Sequence, residues 1–398
     1  MRRLTSSILL AIALVLPLLA APAQAAPARR IDYTSWGTPA ELRSGTLESL
    51  RVTGGRLALV TGSDTGRWTS PWTAPGFGLT RLIASWSART PGDSRVVVEV
   101  RGRSGGSTSS WDTLAVWAAG DRTVRRTTDS GQADDLASVN VDTWVVPAGV
   151  TTYQLRVTLR RAAGQAASPT VDSVGAMSSL LPDVADVPTS RPGVARGITL
   201  DVPRYSQMVH RGHYPEYGAG GEAWCSPTST SMVLGYYDAL PAASAYSWVR
   251  PGHVDPWVDH AARMTYDYEY EGTGNWPFNT AYAASLTGHA FVTRLRSLRE
   301  AERFIAAGIP LVASIAFGRD ELSGAPITST DGHLLVIVGF TDSGDVVVND
   351  PAAATRAGVR RTYDRGELED AWIPTTGGTV YVITDDDHPL PANSPGNW

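Results

Sequence analysis

Ala223-Trp224-Cys225-Ser226-Pro227 (residues 223–227) holds the only cysteine of a 398-residue chain. A lone cysteine cannot close an internal disulfide, so it is either an inert small hydrophobe or a free thiol kept for its chemistry. Its surroundings favour the thiol. The stretch Gly218-Ala219-Gly220-Gly221 delivers the chain to Cys225, Pro227 suits a first helical turn, and Ser229, Met232, Val233 and Tyr236 recur as a buried helical stripe. The cysteine is therefore expected at a helix N-terminus, where free N–H groups and the positive dipole end favour thiolate.

Further along, Leu334 to Phe340 reads as a buried strand, Thr341-Asp342-Ser343-Gly344 as a turn, and Asp345 to Asp350 as a return strand stopped by Pro351. With the turn centred between Asp342 and Ser343, Asp350 falls opposite Leu335 and diagonal to His333. The two then share a face, with backbones roughly 7–8 Å apart. A slip of one residue would bring Asn349 there instead, so both remain candidates to orient the imidazole. Upstream, strand-like Ile198 to Pro203 leads to Gln207, whose amide could bind an oxygen that turns negative during acyl transfer. Taken alone, such a Gln is more often a surface residue.

Asp201-Val202-Pro203 with Gln207, Trp224-Cys225-Ser226-Pro227 running into Met232-Val233-Leu234-Gly235-Tyr236-Tyr237, Gly308-Ile309-Pro310, Gly332-His333 and Val348-Asn349-Asp350-Pro351 together resemble the bacterial C39-like cysteine peptidase family. The resemblance covers about residues 197–385 and implies a papain-like α+β domain. In it Gln207 would line the oxyanion hole, Cys225 attack, His333 act as general base and Asp350 orient it, on a peptide or protein substrate and without a cofactor. Ser226 stands where the family usually has Gly, and Leu334 where an aromatic often follows the His. Both departures bear on substrate access. The family's best-known members cut leader peptides after a Gly-Gly pair and are fused to export ATPases; with no P-loop here, that substrate is not carried over.

The start of the chain reads as an export signal: Arg2 and Arg3, an apolar run from Ile8 to Ala21, and Ala23-Gln24-Ala25 as a cleavage pattern at residues 1–25. A secreted protein without a membrane anchor is expected. Losing two arginines moves the formal charge from −5 to −7, which gives no electrostatic case for nucleic acid. The sequence contains no lysine, so all 34 basic residues are arginine. Schiff-base catalysis, Ser-Lys dyads and a P-loop lysine are thereby excluded.

Residues 30–180 read as short strands separated by turns, without a helix, and predict an all-β sandwich of jelly-roll type. Residues 181–196, rich in Pro, Asp and Ser, read as a linker, and residues 386–398 as a tail. Among the sandwich tryptophans, Trp86, Trp117 and Trp144 lie in strand-like runs and suit a core. Trp68, Trp72 and Trp111 lie in loop-like surroundings and are candidates to stack on a cell-wall glycan. In the second half, Trp224 and Trp276 are candidates to wall a substrate pocket, with Trp276 equally placed to plug the core beneath its loop. His210 and His213, with His253, His260 or Asp255, have the residue types of a metal site but sit in a Gly/Pro/Tyr-rich loop, and no metal is expected. A peptidoglycan amidase or acyltransferase of the same fold, or a silent glycan-binding surface protein, would share much of this pattern. All four catalytic residue types being present argues against the silent protein.

Overall fold

A computed structural model describes residues 28–184, 186–393 and 396–398. The export signal lies outside the described residues. Residues 30–180 form two antiparallel sheets. In the first, strands run in the order 138–140, 143–150, 79–89, 170–180, 56–59 and 50–53, and strand Arg30–Trp36 also pairs with Thr170–Leu180. The second runs 46–48, 65–69, 152–160, 95–104 and 107–108, with Asp112–Trp117 added on Arg95–Ser104.

Period-two alternation explains how the sheets face each other. Along Arg95–Ser104, Val96, Val98, Val100 and Gly102 point inward and their neighbours outward. Gly102 is needed because a Cβ there would meet the Trp144 ring of the opposite sheet at 2.5 Å. Trp36 and Trp68 also meet edge-on across the gap, centroids 5.5 Å apart.

One helix breaks the all-strand expectation. Helix α1 (Pro39–Ser44) opens with Thr38 and Glu41 capping each other's backbone, and Pro39 sits in its first turn. The Thr-Pro-Ala-Glu signature was in the sequence, but a single turn lies below the length at which hydrophobic periodicity can be read.

The second half is built on one antiparallel sheet ordered 289–294, 379–384, 311–317, 330–340, 346–349 and 360–363. Helices α2 (Cys225–Tyr236), α3 (Pro256–Thr265) and α4 (Trp276–Thr287) lie on one face; α5 (Leu298–Ala306) and α6 (Arg365–Thr376) lie on the other. Strand Thr330–Phe340 shows why both faces are covered: Leu334, Val336 and Val338 join the α2–α4 core, and Leu335 and Ile337 join the α5–α6 core. The expected stripe on α2 understates its burial. Every residue from Ser226 to Leu234 is buried, and several of its small polar side chains bond to other elements, Ser229 Oγ donating to Leu334 O at 3.1 Å and Ser226 Oγ sharing a bond with the Tyr381 hydroxyl.

Two expectations need correction. Ile198 to Pro203 is not a strand: it crosses the end of Thr330–Phe340 with two backbone bonds, Leu200 N to Val338 O and Phe340 N to Ile198 O, each 2.8 Å. Gly339 permits that crossing, since a Cβ there would lie 2.4 Å from Ile198 O. Residues 181–196 lack helix and strand among the described residues, yet they are fastened down. Ser190 N donates to Glu369 at 2.6 Å, Gly193 N to Glu302, and Arg365 Nε to Ser190 O at 2.6 Å, over a buried Arg365–Glu302 ion pair.

The two halves also share a core. Phe278 of α4 packs on Trp86 and Trp117 of the sandwich, centroids 6.2 and 5.4 Å away. The ends are stitched across the same boundary, with Arg29 donating to Ile373 O at 2.6 Å, Arg296 to Ile31 O at 2.9 Å and Tyr33 N to Gly396 O at 2.8 Å.

Candidate active site

Cys225 opens α2 and is partly exposed at the floor of a cleft of about 1010 Å³. Gly220, at φ 102, makes the turn into the helix and gives way to a short 3-10 segment, Gly221–Ala223. Trp224 then caps the helix. It is fully buried and donates its indole N–H to Tyr217 O at 2.6 Å, so it fixes the approach to Cys225 and does not face substrate. That overturns its placing as a pocket wall. The reason is packing: an indole beside the first turn of an all-round buried helix is the largest plug available.

His333 lies within strand Thr330–Phe340, and near it the hairpin pairs Val336 with Asn349 and Ile337 with Val348. Beyond those pairs, a bulge shifts the register before the turn. His333 Nε2 and Asp350 Oδ1 are 2.8 Å apart and both residues are buried. The other side of the ring faces Cys225, which contributes to the shift of its charge. Burial alone would lower the pKa of His333; the Asp350 charge and hydrogen bond, with Cys225, outweigh it and raise the pKa to about 10. Burial likewise pushes Asp350 up, but the imidazolium, the Tyr363 hydroxyl and the Ala352 N–H hold the carboxyl below its ordinary range.

Asp350 is held on all sides. Tyr363 donates its hydroxyl to Oδ2 at 2.7 Å, Ala352 N donates to Oδ1 at 3.0 Å, and Asp350 N donates to Val359 O at 2.8 Å. Asn349 faces away: its amide donates to Val202 O and Pro203 O and accepts from Arg360. Of the two candidates, Asp350 is the one at the ring.

Gln207 is buried at the cleft edge, its backbone N–H donating to Pro351 O at 2.9 Å and its amide nitrogen to Glu222 O at 2.5 Å. The amide carries a second N–H, so one remains for a ligand. Ser226, a departure from the family pattern, points away from the cleft and shares a hydrogen bond of 2.9 Å with the Tyr381 hydroxyl. It therefore does not narrow access.

The cleft has one wall that the sequence did not reveal. Asn140 to Thr143 from the sandwich line it opposite Gln207, Cys225 and His333, together with Arg81, Tyr270, Trp276 and Arg294. Asp142 accepts from Trp276 N at 3.0 Å at the start of α4, and burial lifts its pKa to about 6. Val141 before it has φ 54, costly for a β-branched residue. Trp276 is thus a half-buried cleft residue that also begins a helix. No spacing within the sequence could have brought Asp142 here, since it arrives on the other half of the molecule.

The indoles considered for sugar stacking are otherwise engaged. Trp68 is fully buried and donates to Leu42 O at 2.8 Å. Arg103 stacks on Trp72 at 4.0 Å, Arg101 on Trp111 at 4.5 Å and Arg156 on Trp111 at 4.2 Å. Guanidinium groups already use those rings.

Residues 32–179 match the family described as peptidase C39 N-terminal domain, and residues 199–380 match the peptidase C39-like family. No curated protein matches the chain. The first match spans the sandwich, and the second spans every residue of the Gln207, Cys225, His333 and Asp350 constellation. By these two matches, in this order, the chain belongs to the bacterial C39-like peptidase family.

Proposed function

We propose that the protein is a secreted cysteine peptidase that hydrolyses peptide bonds in the cleft between its halves. The observation that carries this reading is the convergence of Cys225, at a helix N-terminus, with the buried His333–Asp350 pair. A nucleophile opening a helix that packs on an antiparallel sheet bearing the imidazole and carboxylate is also the arrangement on which we base a papain-like description of this half.

In this mechanism the thiol proton rests on His333, whose raised pKa favours imidazolium. The Cys225 thiolate attacks the scissile carbonyl carbon, and the C=O electrons move onto oxygen. The Cys225 backbone N–H and the free amide N–H of Gln207 stabilise that oxyanion. As the C–N bond breaks, imidazolium gives its proton to the leaving amine. Neutral His333 then takes a proton from water, which releases the acid and restores the thiolate. Asp350, locked by Tyr363, keeps Nε2 engaged so that the other ring nitrogen faces sulfur.

The sandwich enters the reading through Asn140 to Thr143, which would touch any polypeptide lying in the cleft. We assign it to substrate choice and not to a glycan platform. Export rests on residues 1–25. Among the described residues, no helix is long and apolar enough to cross a membrane.

The test is a peptide-library digest by the protein lacking residues 1–25, with products identified by mass. Cleavage present in that protein and absent in Cys225→Ala supports the reading. Transfer of the acyl group to an added amine with no hydrolysis, or cleavage of cell-wall amides alone, would replace it.

A further inference from the structure

A second polar cluster lies apart from the thiol. His210 ends the short 3-10 turn Gln207–His210, His213 follows it, His253 sits in the loop before α3, and Asp259 lies in the first turn of α3. Each ring turns Nδ1 to the same fully buried carboxylate: His210 to Oδ2 at 3.0 Å, and His213 and His253 to Oδ1 at 2.9 and 3.2 Å. The rings of His213 and His253 are stacked, centroids 3.5 Å apart and 19° from parallel.

Elsewhere the chain meets several carboxylates with guanidinium. Asp255 is paired with Arg356, Asp121 with Arg263 and Glu302 with Arg365. With 34 arginines to draw on, only imidazole meets the Asp259 carboxylate among the described residues. His210 Nε2 is buried with no protein partner, so that ring's one polar contact is directed at the cluster. His260 and Asp255, the other candidates raised by the sequence, are engaged elsewhere, by Trp248 and Arg356.

We propose that His210, His213 and Asp259 bind one divalent transition-metal ion, with zinc the ion their two-nitrogen, one-oxygen donor set suits best and water filling the fourth position. Metal–ligand bonds of about 2.0–2.2 Å place tetrahedral donors about 3.4 Å apart. The Nδ1–carboxylate separations of His210 and His213, 3.0 and 2.9 Å, are a few tenths shorter, and the three ligand atoms lie within 4.8 Å of one another, so a small rearrangement admits the ion. On binding, His210 and His213 give Nδ1 to the metal and carry their protons on Nε2, while Asp259 supplies the negative charge and keeps its hydrogen bond from His253. The ion would clip the turn that bears Gln207 to α3, and so hold the oxyanion donor's backbone. The site stands whether or not the peptidase reading does.

The experiment uses Cys225→Ala protein, which removes the only thiolate ligand, stripped with EDTA and titrated with cobalt(II). One equivalent should develop the visible d–d bands of four-coordinate cobalt, at about 500–700 nm, which zinc then abolishes. Zinc should also raise the melting temperature. His213, 19 % exposed on its side chain, is the ligand whose loss least disturbs packing. His213→Asn should stay folded by circular dichroism and bind cobalt more than roughly tenfold more weakly. Absence of the bands together with no change in melting under cobalt or zinc would overturn the proposal. So would binding undiminished in His213→Asn.

Discussion

Two buried carboxylates, Asp350 and Asp259, each receive imidazole, and the surroundings make them different devices. Asp350 meets one ring, a tyrosine hydroxyl and a backbone N–H, and that ring's far side faces a thiol. Asp259 meets three rings and no nucleophile. The first arrangement suits moving a proton between two partners; the second suits gathering donors around a centre. A carboxylate–histidine contact alone therefore identifies neither, and what stands behind the imidazole decides.

The contrast can be broken most sharply at the thiol. Cys225→Ala should lower turnover of any cleaved peptide by roughly 10⁴-fold or more, with the protein still folded and cobalt binding intact. Next, Asp350→Asn should lower kcat by roughly 10²–10⁴-fold, because the amide can hold the wrong tautomer. Asp259→Asn should instead act on folding, removing about 3 kcal/mol measured by urea unfolding, since it strips the charge around which three rings are arranged. If both Asn variants lost rate alone, or stability alone, the distinction between the two carboxylates would fail.

A smaller effect follows from pH. His333 has its pKa raised from 6.5 to about 10, so its stabilising contribution is complete below pH 6.5 and is lost as pH rises toward 10. Asp350 has its pKa lowered from 3.8, so its contribution is present above pH 3.8 and is lost as pH falls through the folded value. The melting difference between the unmodified protein and Asp350→Asn should be widest between those limits, near pH 5, and narrow by pH 10. A difference that widens with alkali would contradict the ion pair. Smallest of all, Tyr363→Phe should cost about 1 kcal/mol, read as a several-fold loss in kcat with KM little changed.

How much of this could be read from sequence depended on distance along the chain. The hairpin carrying His333 and Asp350 closes within eighteen residues, so period two and a turn signal were enough to bring them to one face. The start of α2 at Cys225 was legible for the same reason. Asp259 lies 49 residues from His210, and Asp142 comes from the sandwich; their meetings are made by packing, which leaves no local period. Tyr363 was missed because a strand tyrosine has no mark that distinguishes a core ring from one whose hydroxyl is aimed at a carboxylate. Trp68 has loop-like neighbours in sequence but lies in strand Thr65–Thr69, on its buried side.

The cleft's composition sets a timetable for a chain made from its N-terminus. Its nucleophile is residue 225, one wall comes from residues 140–143, and the imidazole and carboxylate come at 333 and 350. The strand carrying Ile31 is bonded to Arg296, and Tyr33 to Gly396. A partly made chain thus possesses the thiol without the base, and its earliest strand waits for the latest residues before its edge contacts close. Under the proposed mechanism, the thiol has no base to work with until residues 333 and 350 have been made.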